Sequence, residues 1–223
     1  EVPKNVVKVN FYEGMTITDI AKRLEENEVC SYDEFIEAAK TETFEYEFEN
    51  MMGESEFIYY KWEGYLFPDT YEFYMGEDPK YIINKMMVNF DAKVTDAMRQ
   101  QIWDKGYSIG QVLTVASMIE KETDGKDHGK IASVINNRLN TNGETVGRLQ
   151  IDATLYYLTG KTPTEADKAI DSPYNTYLYN GLPPGAISSP GLDALSAAMF
   201  PSPPQSSSGR DIDAYFFVSN DAG

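Results

Sequence analysis

VVKVNFYEGMTITDIAKRLEENEV, residues 6–29, determines how the fold begins. Apolar residues alternate with polar ones over positions 7–11, which is the period-two pattern of a strand with one buried face. Thr16 is a good helix N-cap, and Asp19 three residues later places an acid in the first turn. Apolar residues then recur at helical spacing on one side. The stretch therefore predicts a half-buried strand that turns at Glu13-Gly14 into an amphipathic helix.

The segments that follow extend this pattern into a small unit. SYDEFIEAAK, residues 31–40, has Ser31 and Glu34 as a capping box ahead of a second amphipathic helix. SEFIYY, residues 55–60, is rich in strand-forming residues and predicts a returning strand. The order strand, helix, helix, strand resembles the LysM-like module, a small fold that often binds glycan chains. We therefore expect residues 1–60 to form a LysM-like βααβ subdomain.

The composition narrows the classes of partner and cofactor. Thirty-six acidic residues against nineteen basic ones give a net charge of −17, whereas binding to nucleic acid or to an anionic membrane surface requires a basic face. The single cysteine, Cys30, excludes an intrachain disulfide, and the single histidine, His128, excludes a multi-histidine metal site. His128 lies in the polar, glycine-flanked DGKDHGK, where we expect a solvated loop. No metal or cofactor is predicted, and a glycan substrate is compatible with the charge.

The rest of the chain predicts a larger unit in which helices dominate. Residues 62–79 are dense in aromatics and predict an extended, packed connector, and residues 79–106 carry one long helical pattern. From residue 141 onward the composition is typical of loops. Further helices are predicted at YSIGQVLTVASMIEKETD (107–124), KIASVINNRLN (130–140) and GLDALSAAMF (191–200), a loop at PSPPQSSSG (201–209) and a strand at AYFFVS (214–219). The predicted fold class is α+β, a LysM-like subdomain followed by a mixed α/β domain over residues 61–223.

ASMIEKET, residues 116–123, contains two glutamates two positions apart, Glu120 and Glu122. Because residues two apart on an α-helix point roughly 200° apart, one narrow cleft does not easily use both, which argues against a two-carboxylate glycosidase built from this pair. Glu122 has Lys126 four residues later, the favourable order for an ion pair if the helix continues. Glu120 instead has Asp124 at that spacing and an apolar wall one turn earlier, which together raise the pKa of a carboxyl group. Such a pKa suits a general acid near neutral pH, so Glu120 is the better catalytic candidate.

Six motifs, in this order, resemble those of the YceG-like endolytic murein transglycosylases. They are EGYLFPDTY (63–71), ASMIEKET (116–123), INNRL (135–139), RLQIDAT (148–154), SPYNTY (172–177) and GLPPGAISSPG (181–191). Together with the LysM-like start they cover nearly the whole chain. The sequence departs from the family's pattern at Ala153, where a proline is usual, and at NTNGETVG (140–147), which is longer than the family's loop.

The resemblance implies a lytic transglycosylase that cuts peptidoglycan glycan strands internally, with residues 61–223 as the catalytic domain. In the family the first glutamate of the EKET stretch, here Glu120, is the catalytic acid. It protonates the oxygen between N-acetylmuramic acid (MurNAc) and N-acetylglucosamine (GlcNAc), and then removes the proton of the muramyl 6-hydroxyl. Attack of that hydroxyl leaves a 1,6-anhydro-MurNAc end without consuming water. The resemblance further implies that the enzyme ends nascent strands during growth.

The same motifs supply candidates for substrate binding. Aromatic rings stack on sugar faces, amides and hydroxyls bond to acetamido groups, and an arginine binds a carboxylate or lactyl group. The candidates are Arg138, Gln150, Asp152, Tyr174, Asn175, Thr176 and Tyr177. Each has a structural alternative, such as a buried tyrosine with a satisfied hydroxyl, an asparagine that shapes a turn, or an arginine that closes a helix.

The resemblance also implies a cell-membrane protein whose catalytic part is extracytoplasmic and whose anchor is one N-terminal transmembrane helix. The sequence contains no run of about 18 apolar residues, so we expect that anchor to lie outside it. We likewise expect the C-terminal end of the catalytic domain, with a histidine-containing motif, to lie beyond Gly223. Peptidoglycan glycan strands are the expected partner, and peptidoglycan synthases are possible further partners.

Three other functions are alternatives to this interpretation, and the third fits the sequence poorly. A non-catalytic glycan-binding or scaffold protein would use the LysM-like part and bind peptidoglycan whatever residue stands at Glu120. A conventional muramidase would use a second carboxylate such as Asp152 to activate water. A pyridoxal-phosphate lyase would need a Schiff-base lysine and a phosphate cradle, but Lys121 lies on the polar face of its helix and no glycine-rich phosphate loop opens a helix.

Overall fold

The computed structural model describes residues 5–53, 55–123, 125–139, 143–201 and 214–215. Within those ranges the fold is α+β, with many helices and a two-stranded sheet, as the sequence predicts. The elements in chain order are β1 Val6–Asn10, α1 Ile17–Glu26, α2 Tyr32–Thr41, β2 Thr70–Tyr74, α3 Pro79–Lys93, α4 Asp96–Asp104, α5 Ile109–Glu122, α6 His128–Leu139, α7 Asp152–Thr159 and α8 Leu192–Met199. Two 3₁₀ helices lie at Glu47–Met51 and Glu165–Ala169.

The chain from β1 to β2 forms the small unit, which has the order strand, helix, helix, strand. The strands pair antiparallel, with Val6 opposite Tyr74 and Asn10 opposite Thr70. The predicted caps are present: the Thr16 side chain accepts from the backbone of α1, and the Ser31 side chain accepts from the backbone of α2. Local capping therefore accounts for where both helices begin.

The returning strand of this unit is not the one that the sequence predicts. Residues 55–60 form turns and bends, and the strand that pairs with β1 lies at Thr70–Tyr74, inside the segment predicted as a connector. In β2 the buried side chains Tyr71 and Phe73 alternate with exposed ones, so this segment has the period-two pattern. The domain boundary at residue 60 stays a prediction, and the partner strand of β1 lies on the far side of it.

The long helix predicted over residues 79–106 is also wrong, because the chain forms two helices there. The backbone leaves the helical conformation at Val94, with φ −86° and ψ 82°. The hydroxyl of Thr95 then accepts a hydrogen bond from the Met98 N–H and caps α4. Apolar spacing alone does not reveal the break, since both helices bury their apolar residues in the same core.

Two further corrections concern the second half of the chain. The loop-rich region after residue 141 contains α7, whose sequence DATLYYLT was not predicted to be helical. His128 is the first residue of α6 and is partly buried, so it does not lie in a solvated loop. The predicted loop at 202–209 and most of the predicted strand at 214–219 lie outside the described residues.

Helix α5 is the centre of the larger unit. Helices α4, α6, α7 and α8 all pack against it, and its buried face includes Val112, Leu113, Ala116 and Ile119. Because α8 packs along α5, the last turn of α5 lies beside the residues that lead into α8. In the part of the chain that the structure describes, no helix has the combined length and apolar character needed to cross a membrane.

Candidate active site

Glu120 lies in the last turn of α5 and is half-buried. Its Oε2 atom accepts a hydrogen bond of 2.9 Å from the backbone N–H of Gly191, just ahead of α8. Burial raises the pKa of the Glu120 carboxyl group, and the N–H of Gly191 partly opposes this rise. The charges of Glu13 and Asp193 raise the pKa further, and the charge of His128 lowers it. The raised pKa agrees in direction with the sequence argument, although Asp124, which that argument used, lies outside the described residues.

Glu122 faces a different part of the molecule. Its Oε1 atom accepts a hydrogen bond of 3.4 Å from the N–H of Ala153 at the start of α7. Burial also raises the pKa of this carboxyl group. Helix α5 ends at Glu122, so the helical spacing assumed for an ion pair with Lys126 does not continue. The two glutamates therefore contact separate elements, as their spacing on a helix predicts.

Asp152 and Tyr177 form an accessible pair close to Glu122. The Tyr177 hydroxyl donates a hydrogen bond of 2.6 Å to Oδ1 of Asp152, which is the first residue of α7 and is exposed. The charge of Asp152 raises the pKa of Glu122. This pair is thus grouped with Glu122, and its described hydrogen bonds do not involve Glu120.

Three other candidates use their polar groups within the fold. Nη1 of Arg138 donates to the Leu149 carbonyl at 2.5 Å, and the buried Thr176 hydroxyl accepts from the Ile151 N–H at 3.0 Å. The fully buried Asn175 donates to two backbone carbonyls, at 2.8 and 3.1 Å, and accepts from the Tyr177 N–H. These contacts match the structural alternatives, because they shape the segments around residues 150 and 175.

Gln150 has a backbone conformation that is uncommon outside glycine. Its φ of 53° lies in the left-handed region. A hydrogen bond of 3.0 Å from its N–H to the Thr176 carbonyl holds the backbone there, together with a weak contact of 3.4 Å from Arg138 to its own carbonyl. Non-glycine residues held in such conformations are concentrated at functional sites. The role of the Gln150 side chain stays a prediction.

Tyr174 is buried in a stack of tyrosines beside a cavity. Its ring centroid lies 4.9 Å from that of Tyr59 and 5.3 Å from that of Tyr157. The cavity, of about 730 Å³, is lined by Tyr174, Glu63 and the GLPPG loop, and it extends to the start of α5. Glu120 is not among its lining residues, so the cavity and the candidate acid occupy different parts of the molecule.

Glu63 is a buried acid that the sequence argument quoted only as part of a motif. It is 3% exposed, and its carboxyl group accepts from the Ile17 N–H at the start of α1 and from the Tyr157 hydroxyl, both at 3.1 Å. Burial raises its pKa to about 8, against the opposing effect of these hydrogen bonds. Glu63 thereby connects the small unit to α7. In the sequence, the feature that could have identified Glu63 as a buried acid is its position among aromatic residues.

The glycine that follows Glu63 brings two motifs into close contact. Gly64 has φ +86°, and a Cβ atom added there would lie 2.6 Å from Cβ of Ala186. A side chain at this position would therefore strain the backbone and clash with the GAISS segment. The motif at 63–71 and the motif at 181–191 thus pack directly against each other, close to the loop that contacts Glu120.

Three kinds of comparison with known proteins point to the same family. The model of the YceG-like family matches residues 2–223. An endolytic murein transglycosylase of Bacillus subtilis (strain 168) is 34% identical over an alignment of 205 residues that covers 87% of this chain. A protein of the same name from Streptococcus pneumoniae (strain D39) is 34% identical over an alignment of 149 residues that covers 63% of this chain. The crystal structure of a YceG-like protein from Listeria monocytogenes superposes with a TM-score of 0.80 at 31% identity, covering 96% of this chain and 70% of that one.

The matched proteins with curated names are longer than the part that aligns. The aligned region is 56% of the Bacillus protein and 26% of the Streptococcus protein. The Bacillus alignment thus spans most of the present chain and about half of that relative, and the Streptococcus alignment spans about two-thirds of the present chain and about a quarter of that relative.

Proposed function

Because the chain belongs to the YceG-like family, we propose that it is an endolytic murein transglycosylase. Its substrate is the glycan strand of peptidoglycan, and it cleaves the MurNAc–GlcNAc bond within the strand to leave a 1,6-anhydro-MurNAc end. The names of the relatives support the substrate class and the type of enzyme. In the cell we propose that it acts outside the cytoplasm at the membrane and ends nascent strands, alongside peptidoglycan synthases.

One observation carries this proposal: the half-buried carboxyl group of Glu120, with its raised pKa and one hydrogen bond to the fold. A raised pKa lets a carboxyl group keep its proton to higher pH, which suits general-acid catalysis. Glu120 donates this proton to the glycosidic oxygen as the bond to C1 of MurNAc breaks and oxocarbenium character develops. The resulting carboxylate then takes the proton of the muramyl 6-hydroxyl while the oxygen bonds to C1. The proton returns to Glu120, and no water is consumed.

For substrate binding we propose Asp152 and Tyr177, which are accessible, and Gln150, whose backbone is held in a left-handed conformation. The contacts of Arg138, Tyr174, Asn175 and Thr176 support a second role for these residues, which is to shape the segments that carry the first three. A direct contact between any of these four residues and the glycan stays a prediction.

The test is mass spectrometry of the fragments that the protein releases from purified peptidoglycan. We expect anhydro-muramyl ends, one water lighter than hydrolysed ends, from the unaltered chain and none from the Glu120→Gln variant. Glu122→Gln is the matched control, since it makes the same change two residues away and keeps an oxygen to accept from Ala153.

Two outcomes would contradict the proposal. Reducing ends would identify a muramidase that uses water and needs a second carboxylate. Asp152 has been the candidate for that role, but it pairs with Tyr177 at the start of α7. If the unaltered chain and the Glu120→Gln variant bound peptidoglycan equally and neither cleaved it, the protein would be a non-catalytic binding or scaffold protein.

A further inference from the structure

The loop between β1 and α1 belongs to the small unit but is joined to the segment next to Glu120. The Gly14 N–H donates to the Ser189 carbonyl at 2.8 Å, and the Ser189 N–H donates to the Met15 carbonyl at 2.8 Å. Nζ of Lys121, the neighbour of Glu120, donates to the Gly14 carbonyl at 3.2 Å. These two backbone hydrogen bonds hold the loop and the segment at Ser189 in register. The small unit therefore forms one wall of the candidate site.

Glu13 projects from this loop towards the hydrogen-bond donor of Glu120. Its carboxylate fills the space that a Cβ atom would occupy on Gly191. The N–H of the same glycine donates to Oε2 of Glu120 at 2.9 Å. Gly14, the next residue, would place a Cβ atom 3.7 Å from Cγ of Glu120. The two carboxyl groups thus approach Gly191 together, although they lie far apart in the sequence.

The charges that face Glu120 come from each element around it. Glu13 lies on the β1–α1 loop, His128 begins α6, Asp193 is in the first turn of α8, and Lys121 follows Glu120 on α5. Glu13 is the first of the charged groups that raise the pKa of Glu120, ahead of Asp193, and His128 opposes them. The acidic groups therefore favour a neutral Glu120 before the reaction.

We propose that Glu13 is a positioning residue of this active site, supplied by the small unit, whose negative charge keeps Glu120 protonated until it donates its proton. The inference rests on the proposed function for its catalytic meaning, but the coupling between the two carboxyl groups can be measured without it. The repulsion acts in both half-reactions. It favours the protonated form before donation, and it makes the carboxylate left after donation a stronger base towards the 6-hydroxyl.

The experiment compares the unaltered chain with Glu13→Gln, which keeps the shape and removes the charge. Carbon NMR of labelled glutamate carboxyl groups follows the titration of Glu120, whose signal is assigned by its absence in Glu120→Gln. We expect the midpoint to fall by about one pH unit in Glu13→Gln. We expect the alkaline limb of the kcat/KM profile for glycan cleavage to move by the same amount, so that activity falls about tenfold on that limb.

Two further variants separate charge from structure. Gly191→Ala keeps every charge and the N–H to Glu120, but its added methyl group displaces the Glu13 carboxylate, so we expect a shift in the same direction. Glu37→Gln makes the same chemical change on the exposed face of α2 and should leave both measurements unchanged.

The outcomes distinguish this inference from the proposed function. An NMR midpoint for Glu120 that does not move in Glu13→Gln overturns the inference, whatever the activity. A midpoint that falls while the kcat/KM profile stays in place also overturns it, because the charge would then have no role in the reaction. A midpoint that falls in a chain that cleaves no glycan supports the coupling and overturns the proposed function instead.

Discussion

Glu120 and Asn175 both belong to motifs that resemble one enzyme family, but the fold uses them in opposite ways. Glu120 is half-buried, and its carboxyl group has one described hydrogen bond, from Gly191. Asn175 is fully buried, and its amide donates twice and accepts once within the same loop. A group that the fold leaves largely unbonded is available to a substrate, and a group that the fold has saturated is not. Membership of a motif therefore does not identify chemistry, whereas the remaining hydrogen-bonding capacity does.

The largest effect that we expect is the loss of activity when Glu120 is replaced. Glu120→Gln removes the acid and should lower the rate of glycan release by at least about 100-fold. It replaces a half-buried oxygen by a similar one and leaves no ionisable group there, so the free energy of unfolding should fall by less than about 0.5 kcal/mol. Denaturant unfolding and the release assay, both with Glu122→Gln as control, measure the two quantities. A large loss of stability in Glu120→Gln would mean that the fold uses the carboxyl group of Glu120, as it uses the amide of Asn175.

Asn175→Ala should show the reverse pattern. It leaves the carbonyls of Lys168 and Ile170 and the N–H of Tyr177 without their partner. Removing these buried hydrogen bonds should lower the free energy of unfolding by about 2.5 kcal/mol. Thermal and denaturant unfolding measure the loss, and kcat per folded molecule should change little. A stable Asn175→Ala protein without activity would instead assign this side chain to the substrate.

Glu63 sharpens the comparison because it is an acid with a raised pKa but is saturated by the fold. It keeps its proton up to about pH 8 in the folded chain, against an ordinary pKa of 4.5 when unfolded. Between these values the folded state binds one more proton, so this group lowers the free energy of unfolding by up to about 1.4 kcal/mol per pH unit as the pH rises. Its contribution is complete below pH 4.5 and lost by about pH 8.

Glu63→Gln is neutral at every pH and removes that slope. Relative to the unaltered chain, it should become more stable by about 3 kcal/mol between about pH 5.5 and about pH 8. Denaturant unfolding of both proteins at several pH values measures the difference, in which most contributions of the other acids cancel. If the free energies of unfolding of the two proteins changed in parallel with pH, Glu63 would already be ionised in the folded chain.

The smallest effect is expected at the accessible pair of Asp152 and Tyr177. Tyr177→Phe removes one hydrogen bond to Asp152 at the surface and should cost less than about 1 kcal/mol of stability. If this pair holds the glycan as proposed, KM should rise by about threefold with kcat unchanged. Steady-state kinetics on a soluble glycan decide the matter. An unchanged KM would show that the Tyr177 hydroxyl, like the Asn175 amide, serves the fold and does not hold the glycan.

Local signals account for much of what the sequence predicts correctly. Thr16 and Ser31 begin their helices through hydrogen bonds that span three residues, and the period-two pattern of β1 lies within five residues. The strand β2 was misplaced because its identity depends on pairing with β1 across the whole small unit. Its alternation is also hidden among aromatic residues, which any packed segment can contain.

The same distinction applies to the candidate site. Glu120 was selected from its neighbours along one helix and from its motif. Glu13 was not selected, because its closeness to Glu120 depends on the docking of the β1–α1 loop against residues 189–191. Likewise, no spacing along the chain predicts that Asn175 and Thr176 use their polar groups on the backbone.

The junction between the β1–α1 loop and Ser189 has a consequence for the order of events during biosynthesis. Its two sides, at Gly14–Met15 and at Ser189, lie far apart in the sequence, so the junction closes only after the chain has been made as far as Ser189. Contacts between residues so distant in sequence form late, because closing the intervening loop has an entropic cost. Until then Glu120 lacks the Glu13 carboxylate and the N–H donor of Gly191. A partly made or partly folded chain would on this account lack a competent acid, and activity would begin only with the complete fold.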